Sequence, residues 1–127
     1  MTSVLLDASA LIAMMLRERG GDVVARHLEG AAVSTVNLSE VYGKSFRWNL
    51  PLATTIEQVK GLPISVVPFL EDDAVVAASL VPVAKPLGLS FADRACLAVG
   101  MNRGLTVLTG DRRWKDAGID VKLKFFR

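Results

Sequence analysis

The chain has 127 residues, of which 51% are hydrophobic and 22% are charged, and its formal net charge at pH 7 is +2. These values predict a single domain with a sizeable core and exclude a disordered chain, which would have too few apolar residues to form one. A lone cysteine, Cys96, excludes an internal disulfide. We expect a cytoplasmic protein with no signal peptide or membrane span, because Asp7 interrupts the first apolar run and Pro82 lies in the run at 74–84.

Along the chain, short apolar runs alternate with longer amphipathic segments. Strands are predicted at 3–6, 32–35, 64–67 and 105–108, with a fifth, at the sheet edge, at 121–123. Helices are predicted at 9–18, 22–29, 37–49, 53–60 and 72–80 and from Ser90 onward, and 82–88 is predicted to be a loop. Short strands separated by helices are typical of a parallel sheet covered on both faces. The predicted fold class is therefore α/β, a three-layer α/β/α sandwich with a central, mainly parallel sheet of four to five strands, formed by one domain over residues 1–127.

Four acidic residues lie where a predicted strand passes into the following helix: Asp7, Glu40, Asp93 and Asp111. If the apolar runs are neighbouring parallel strands, these carboxylates converge at the sheet edge where open α/β sheets bind ligands. Carboxylates that meet without a basic partner repel one another, so such a cluster usually needs a cation. Hard oxygen ligands favour Mg²⁺ or Mn²⁺, so the pattern predicts a metal site.

Each acid also has a purely structural explanation. Asn37 to Glu40 and Ser90 to Asp93 have the spacing of a capping box, and Asp7 and Asp111 could cap the helices that follow them. Taken singly, each acid is better explained as a cap, whereas the four together favour the metal site. The two roles are compatible, because helix N-termini also favour negative charge.

The charge balance gives a second indication. If a metal covers the four acids, fifteen Lys and Arg face nine remaining Asp and Glu, which leaves +6. A basic body around an acidic metal site would attract a polyanion such as RNA. The alternative is that the basic residues only solvate the surface.

Four segments resemble the sequence blocks of the PIN-domain family, in order and at typical separations: 4–11, 37–41, 89–94 and 107–114. The resemblance is closest to the VapC-type ribonuclease toxins of type II toxin–antitoxin pairs and covers essentially the whole chain. It implies an endoribonuclease that uses Mg²⁺ or Mn²⁺ to hydrolyse RNA phosphodiester bonds. It also implies a homodimer and a cognate antitoxin, expected to lie across the helices that carry Met14, Met15, Leu16, Val23, Val24 and Leu28.

The resemblance and the chemistry together suggest a role for each site residue. Asp7 and Asp93 are expected to bind the metal directly, and Glu40 to bind it or to take a proton from the attacking water. Asp111 would hold a second ion or orient the hydration shell. Ser9 would hold a metal-bound water, although a helix cap explains this residue about as well.

Five basic residues near the acids are candidates for binding RNA phosphates: Lys44, Arg47, Arg94, Arg112 and Arg113. A solvated helix face explains each of them equally well. Trp114 could stack on a base, but packing in the core is the favoured interpretation.

Two other functions compete with the ribonuclease. A phosphatase of the haloacid dehalogenase type also begins with Asp after a strand, but it needs a second Asp where this chain has Ser9. A non-catalytic PIN-fold module for RNA binding or assembly could keep the fold, yet it would not need four intact acids. Metal-dependent RNA cleavage distinguishes the enzyme from the binding module.

Overall fold

A five-stranded sheet lies at the centre of the structure, a computed structural model that describes residues 3–127. The strands are Val4–Leu6 (β1), Ala32–Ser34 (β2), Ser65–Val67 (β3), Thr106–Thr109 (β4) and Leu123–Phe125 (β5). Their order is β3-β2-β1-β4-β5, and each neighbouring pair is parallel. All the carboxyl ends therefore meet at one edge, with β1 in the middle.

Helices cover both faces of this sheet within the described range. They are Ala8–Met15 (α1), Gly21–Arg26 (α2), Thr35–Gly43 (α3), Leu52–Lys60 (α4), Glu71–Ser79 (α5), Val81–Leu87 (α6) and Phe91–Arg103 (α7). Two 3₁₀ turns, Lys44–Phe46 and Arg112–Asp116, follow α3 and β4.

The core has two halves because successive side chains of a strand point to opposite faces. Leu6 packs with the buried residues of α1 to α4, whereas Leu5 packs with those of α7 and with Trp114. A strand buried on both faces must be apolar throughout, which explains the uninterrupted run Val4–Leu6. The predicted three-layer α/β/α sandwich with a parallel sheet is confirmed.

The predicted loop at 82–88 is wrong, since most of it belongs to α6. Pro82 lies in the first turn of α6, where a missing N–H costs no hydrogen bond. Pro86 is the next-to-last residue of the helix, and Gly88 ends it in the left-handed conformation at φ 68°. The two prolines are therefore compatible with this helix, which ends at Gly88.

The helix predicted at 37–49 begins at Thr35 and ends at Gly43. Ser34, the last residue of β2, is its cap, and the Ser34 hydroxyl accepts a hydrogen bond from the backbone N–H of Asn37 at 3.2 Å. The capping role predicted for Asn37 is therefore wrong, because the strand passes into the helix with no intervening loop.

Other boundaries differ less. The helix predicted at 9–18 ends at Met15, and β5 lies two residues later than predicted but at the edge, as expected. Within residues 3–127, no helix combines the length and apolar character needed to cross a membrane.

Candidate active site

Asp7 follows the central strand and is almost completely buried at 4% exposure. Its Oδ1 accepts hydrogen bonds from Ser9 Oγ at 2.7 Å and from the backbone N–H of Ala10 at 2.9 Å, and its Oδ2 accepts one from Thr109 Oγ1 at 2.8 Å. Burial raises the pKa of Asp7 to about 6 in spite of these bonds, and the charge of Asp93 raises it further. Asp7 is thus both the cap of α1 and a carboxyl whose charged form is disfavoured without a cation.

Asp93 lies in the first turn of α7 and forms the capping box that its spacing predicts. Its Oδ2 accepts from the backbone N–H of Ser90 at 2.8 Å, while Ser90 Oγ accepts from the backbone N–H of Asp93 at 3.1 Å. This reciprocal pair holds the carboxylate of Asp93 at the carboxyl edge of the sheet.

Glu40 lies on α3, across from Asp93. The buried side chain of Asn37 donates to Glu40 Oε1 at 3.5 Å and to the backbone carbonyl of Ala92 at 3.2 Å, which ties α3 to the start of α7. Burial raises the pKa of Glu40 and the charge of Asp93 adds to this, while Asn37 and Lys44 oppose it.

The buried Cys96 thiol lies within electrostatic reach of all three acids. This fully buried group has a pKa raised well above its ordinary value, first by burial and then by the charges of Asp7, Asp93 and Glu40. Together with the hydrogen bonds of Asn37 to Glu40 and to Ala92, this indicates that the three carboxylates lie in one neighbourhood. Asp111 is not among the charges that act there.

Asp111 instead pairs with Arg113. The Arg113 guanidinium donates through Nε to both carboxylate oxygens, at 2.9 and 3.2 Å, and through Nη2 to Oδ2. These hydrogen bonds are the main reason that the pKa of Asp111 is lowered, although partial burial opposes them. The structure thus brings Asp7, Glu40 and Asp93 together and holds the carboxylate of Asp111 in an ion pair.

The donor set suits a hard cation, since it consists of carboxylate oxygens whose charges disfavour one another. Nevertheless, within residues 3–127 the structure contains no group of three or more His, Cys, Asp or Glu side chains arranged closely enough to hold a metal ion. The residues fit Mg²⁺ or Mn²⁺ by their chemistry, and the carboxylates must close up to enclose it.

The predicted RNA-binding residues fall into two groups: three arginines whose guanidinium groups are held by other parts of the chain, and two basic residues near Glu40. Arg94 donates to the carbonyl of Ala77 at 2.8 Å, Arg112 donates to the carbonyl of Arg127 at 2.9 Å, and Arg113 is held by Asp111. Lys44 lies close enough to Glu40 to lower its pKa, and Arg47 is exposed one residue after the 3₁₀ turn.

Trp114 is 1% exposed and packs under the sheet, so it is a core residue as the favoured interpretation predicted. The exposed aromatic ring near the acids is that of Phe91, at 51% exposure and two residues before Asp93. The guanidinium of Arg94 lies 5.5 Å from the centroid of this ring.

Sequence reasoning missed the role of Thr109. Its hydroxyl donates to Asp7 Oδ2 and accepts from the backbone N–H of Asp111 at 3.0 Å, joining the ends of β1 and β4. The available signal was a residue with a hydroxyl group at the carboxyl end of β4, the strand beside β1, where it can reach Asp7. Recognising it required the register that pairs Leu6 with Leu108.

These features define an α/β/α domain with an acidic site at the carboxyl ends of its parallel strands. The sequence matches the PIN domain family over residues 4–120, so the chain belongs to this family. A comparison with curated proteins gives no match.

Three solved structures illustrate the similarity of fold. DNA-bound VapBC from Salmonella typhimurium is 14% identical with a TM-score of 0.77, and the match covers 100% of both chains. A toxin–antitoxin complex from Klebsiella pneumoniae is 18% identical with a TM-score of 0.74, covering 98% of both chains. VapC20 from Mycobacterium tuberculosis, a toxin that cleaves the sarcin–ricin loop, is 17% identical with a TM-score of 0.73, covering 94% of this chain and 99% of that one.

Proposed function

We propose that this protein is a divalent-metal-dependent endoribonuclease and the toxin of a toxin–antitoxin pair that acts in the cytoplasm. The observation that carries the proposal is the proximity of Asp7, Glu40 and Asp93 at the carboxyl ends of the strands of a PIN domain. Asn37 links Glu40 to the start of α7, and the charge of Asp93 raises the pKa of both Asp7 and Glu40. The fold shared with VapC20, a toxin that cleaves the sarcin–ricin loop, supports a nuclease, for which we propose RNA as the substrate.

The proposed mechanism divides metal binding and proton transfer among Asp7, Asp93 and Glu40. Asp7 and Asp93 would hold the metal, because each carboxylate is already aligned by hydrogen bonds from a helix N-terminus. When bound, Mg²⁺ or Mn²⁺ stabilises charge on the phosphate oxygens and lowers the pKa of the attacking water. Glu40, exposed at the site and with a raised pKa, would bind alongside them or accept the proton of that water.

The remaining residues would position these groups and the RNA. Ser9 donates to Asp7 Oδ1 and so orients this carboxylate. Lys44 and Arg47 would contact phosphates beside Glu40. We expect single-stranded or loop RNA as the substrate, because a site open at a sheet edge reaches splayed strands more readily than a duplex.

An RNA cleavage assay tests the enzyme. Purified protein should cut mixed-sequence RNA with added Mg²⁺ or Mn²⁺ and should stop when EDTA is added. Asp93→Asn should abolish cleavage, whereas Asp72→Asn, which makes the same charge change at an exposed position on α5, should not. Equal cleavage in EDTA, with contaminating ribonucleases excluded, would contradict the metal mechanism.

A non-catalytic RNA-binding module is the second candidate, favoured by the lack of a closed metal-binding group within residues 3–127. It predicts RNA binding that is unchanged by EDTA and by Asp93→Asn, with no cleavage under either condition. The same assay, run with a binding measurement, separates the two functions.

The proposed partners are an antitoxin and a second copy of the chain. A groove of about 330 Å³ between α1 and α4 is lined by Met14, Met15, Arg17, Gln58 and Leu62, and the neighbouring Leu16 is 46% exposed. The Salmonella and Klebsiella structures, which share this fold, contain antitoxins. Suppression of cleavage by the product of an adjacent small gene would support the antitoxin, and monomers alone in light scattering at tens of micromolar would contradict the homodimer.

A further inference from the structure

Arg113 is bound more extensively than a surface arginine that only solvates a helix. Its Nε and Nη2 engage the carboxylate of Asp111, and its Nη1 donates to the backbone carbonyls of Leu87 and Gly88, both at 3.1 Å. All three guanidinium nitrogens thus make contacts that join the turn after β4 to the loop between α6 and α7. Such a planar fork fixes the orientation of the carboxylate that it grips.

The backbone of Asp111 is nevertheless close to the three converging acids. Its N–H donates to Thr109 Oγ1, and the same hydroxyl donates to Asp7 Oδ2. The neighbouring N–H of Gly110 donates to Ser9 Oγ, which in turn donates to Asp7 Oδ1. Two short hydrogen-bond chains therefore join the backbone at Asp111 to Asp7, and it is the pairing of the side chain with Arg113 that keeps its charge apart.

Trp114 provides a second, independent observation in the same place. Its indole ring is 1% exposed, and Nε1 makes no hydrogen bond within residues 3–127. Hydrogen bonding from the Trp114 side chain nevertheless contributes to the lowered pKa of Asp111, so the indole N–H lies beside this carboxylate at a geometry short of a full hydrogen bond. Trp114 is therefore a second neighbour of the Asp111 carboxylate, beside Arg113, and its indole N–H reports where that carboxylate lies.

We propose that Arg113 is a positioning residue that withholds Asp111 from the metal site. In the native chain the metal is then held by Asp7, Glu40 and Asp93, and release of Arg113 admits Asp111 as a fourth carboxylate. This inference rests on the proposed metal-dependent function and specifies which acids take part in it. It differs from the expectation that Asp111 holds a second ion or orients the hydration shell.

Two adjacent arginines provide a matched pair of variants. Arg113→Gln and Arg112→Gln both remove one positive charge from the same turn, but Arg112 contacts the carbonyl of Arg127 and the ring of Phe125 and makes no contact with Asp111 in the structure. A general effect of a charge in this turn would appear in both variants, and an effect of the Arg113 charge on Asp93 would persist when Asp111 is also replaced by Asn. An effect of releasing Asp111 would appear only in Arg113→Gln.

Calorimetric titration of the full chain with Mn²⁺ measures the effect. We expect Arg113→Gln to bind Mn²⁺ about tenfold more tightly than the parent, because one carboxylate is added to the ligand set. Arg112→Gln and Asp111→Asn should stay within about twofold of the parent, and the double variant Asp111→Asn with Arg113→Gln should lose the gain. Arg113→Lys, which keeps the charge without the fork, should fall between the parent and Arg113→Gln.

The indole N–H signal of Trp114 in a ¹H–¹⁵N spectrum gives a readout that needs no metal. It should move in Arg113→Gln, because the contact between the Asp111 carboxylate and Nε1 changes, and remain in place in Arg112→Gln. The same spectrum shows that each variant is folded, and Trp48 serves as the internal reference.

The outcomes separate the two proposals. If the parent binds Mn²⁺ and Arg113→Gln binds no more tightly than Arg112→Gln, the inference about Arg113 is overturned and the proposed function stands. A tenfold loss of binding in Asp111→Asn would also overturn it, since Asp111 would then already be a ligand. If neither the parent nor Arg113→Gln binds Mn²⁺, both proposals fail.

Discussion

Replacing Asp7 with asparagine separates the two roles of this side chain, helix cap and buried charge. Asparagine caps a helix about as well as aspartate, and its Oδ1 can keep the bonds from Ser9 and Ala10. The substitution therefore removes the charge while it leaves most of the local structure intact. Without metal, the loss of a buried charge should stabilise the protein at neutral pH.

The magnitude follows from the pKa of Asp7. Burial raises this pKa from 3.8 to about 6. Each unit of pKa corresponds to about 1.36 kcal/mol, so the ionised carboxylate costs the folded state about 3 kcal/mol at neutral pH. Because the folded pKa lies above the unfolded one, the folded state holds its proton more strongly. The stability of the parent therefore falls as pH rises from about 4 through about 6.

Urea unfolding of metal-free parent and Asp7→Asn protein at several pH values measures this cost. The free energy of unfolding of the variant minus that of the parent should increase by about 2.4 kcal/mol between pH 4 and pH 7, because part of the full effect already lies below pH 4. The exposed control Asp72→Asn should change by less than about 0.5 kcal/mol over the same range. A difference for Asp7→Asn that does not vary with pH would refute the assignment of a buried, destabilised charge.

Adding metal should reverse the order of stability. At a hundredfold excess of Mg²⁺ over its Kd, the parent should gain about 2.7 kcal/mol, and Asp7→Asn much less. Thermal melts with and without Mg²⁺ measure the gain. A variant that keeps both full cleavage activity and the metal-induced shift of the parent would show that Asp7 is not a ligand.

Two further predictions concern the supports of the site and of the helices. Thr109→Val should lower the free energy of unfolding by about 1–3 kcal/mol and reduce cleavage, because a buried oxygen of the Asp7 carboxylate loses its donor. In urea unfolding, the control Thr106→Val on the same strand should change the free energy little. Equal effects of the two substitutions would contradict a specific role of Thr109. Asp73→Asn should lower the free energy of unfolding by about 2–4 kcal/mol at neutral pH, because Asp73 is 1% exposed and accepts two hydrogen bonds from the partly exposed Arg103. Cleavage per folded molecule should be unchanged. Hydrogen bonds, those from Arg103 foremost, outweigh burial and lower the pKa of Asp73, so this cost should shrink as pH falls below about 4, and a cost that does not vary with pH would contradict the ion pair.

The sequence by itself determined the architecture and three of the four acids that it singled out. Short apolar runs separated by helices predict a parallel sheet, and parallel strands have their carboxyl ends at one edge, so residues that follow them must meet. Asp7 follows β1 directly and Asp93 lies one helical turn after a cap, so their positions depend on local rules that the sequence contains. Glu40 follows β2 by less than two helical turns and reaches the same edge.

Only the tertiary structure decided which side chain pairs with Asp111, the fourth acid, and which distant residues hold the other acids in place. Asp111 turns to Arg113 because the carbonyls of Leu87 and Gly88, about 25 residues earlier, hold the guanidinium in place. Thr109 supports Asp7 across 102 residues of chain. Sequence patterns record which elements form, since that depends on neighbours along the chain. The partner of a side chain depends on which segments pack against it, and this is set only when the whole chain has folded.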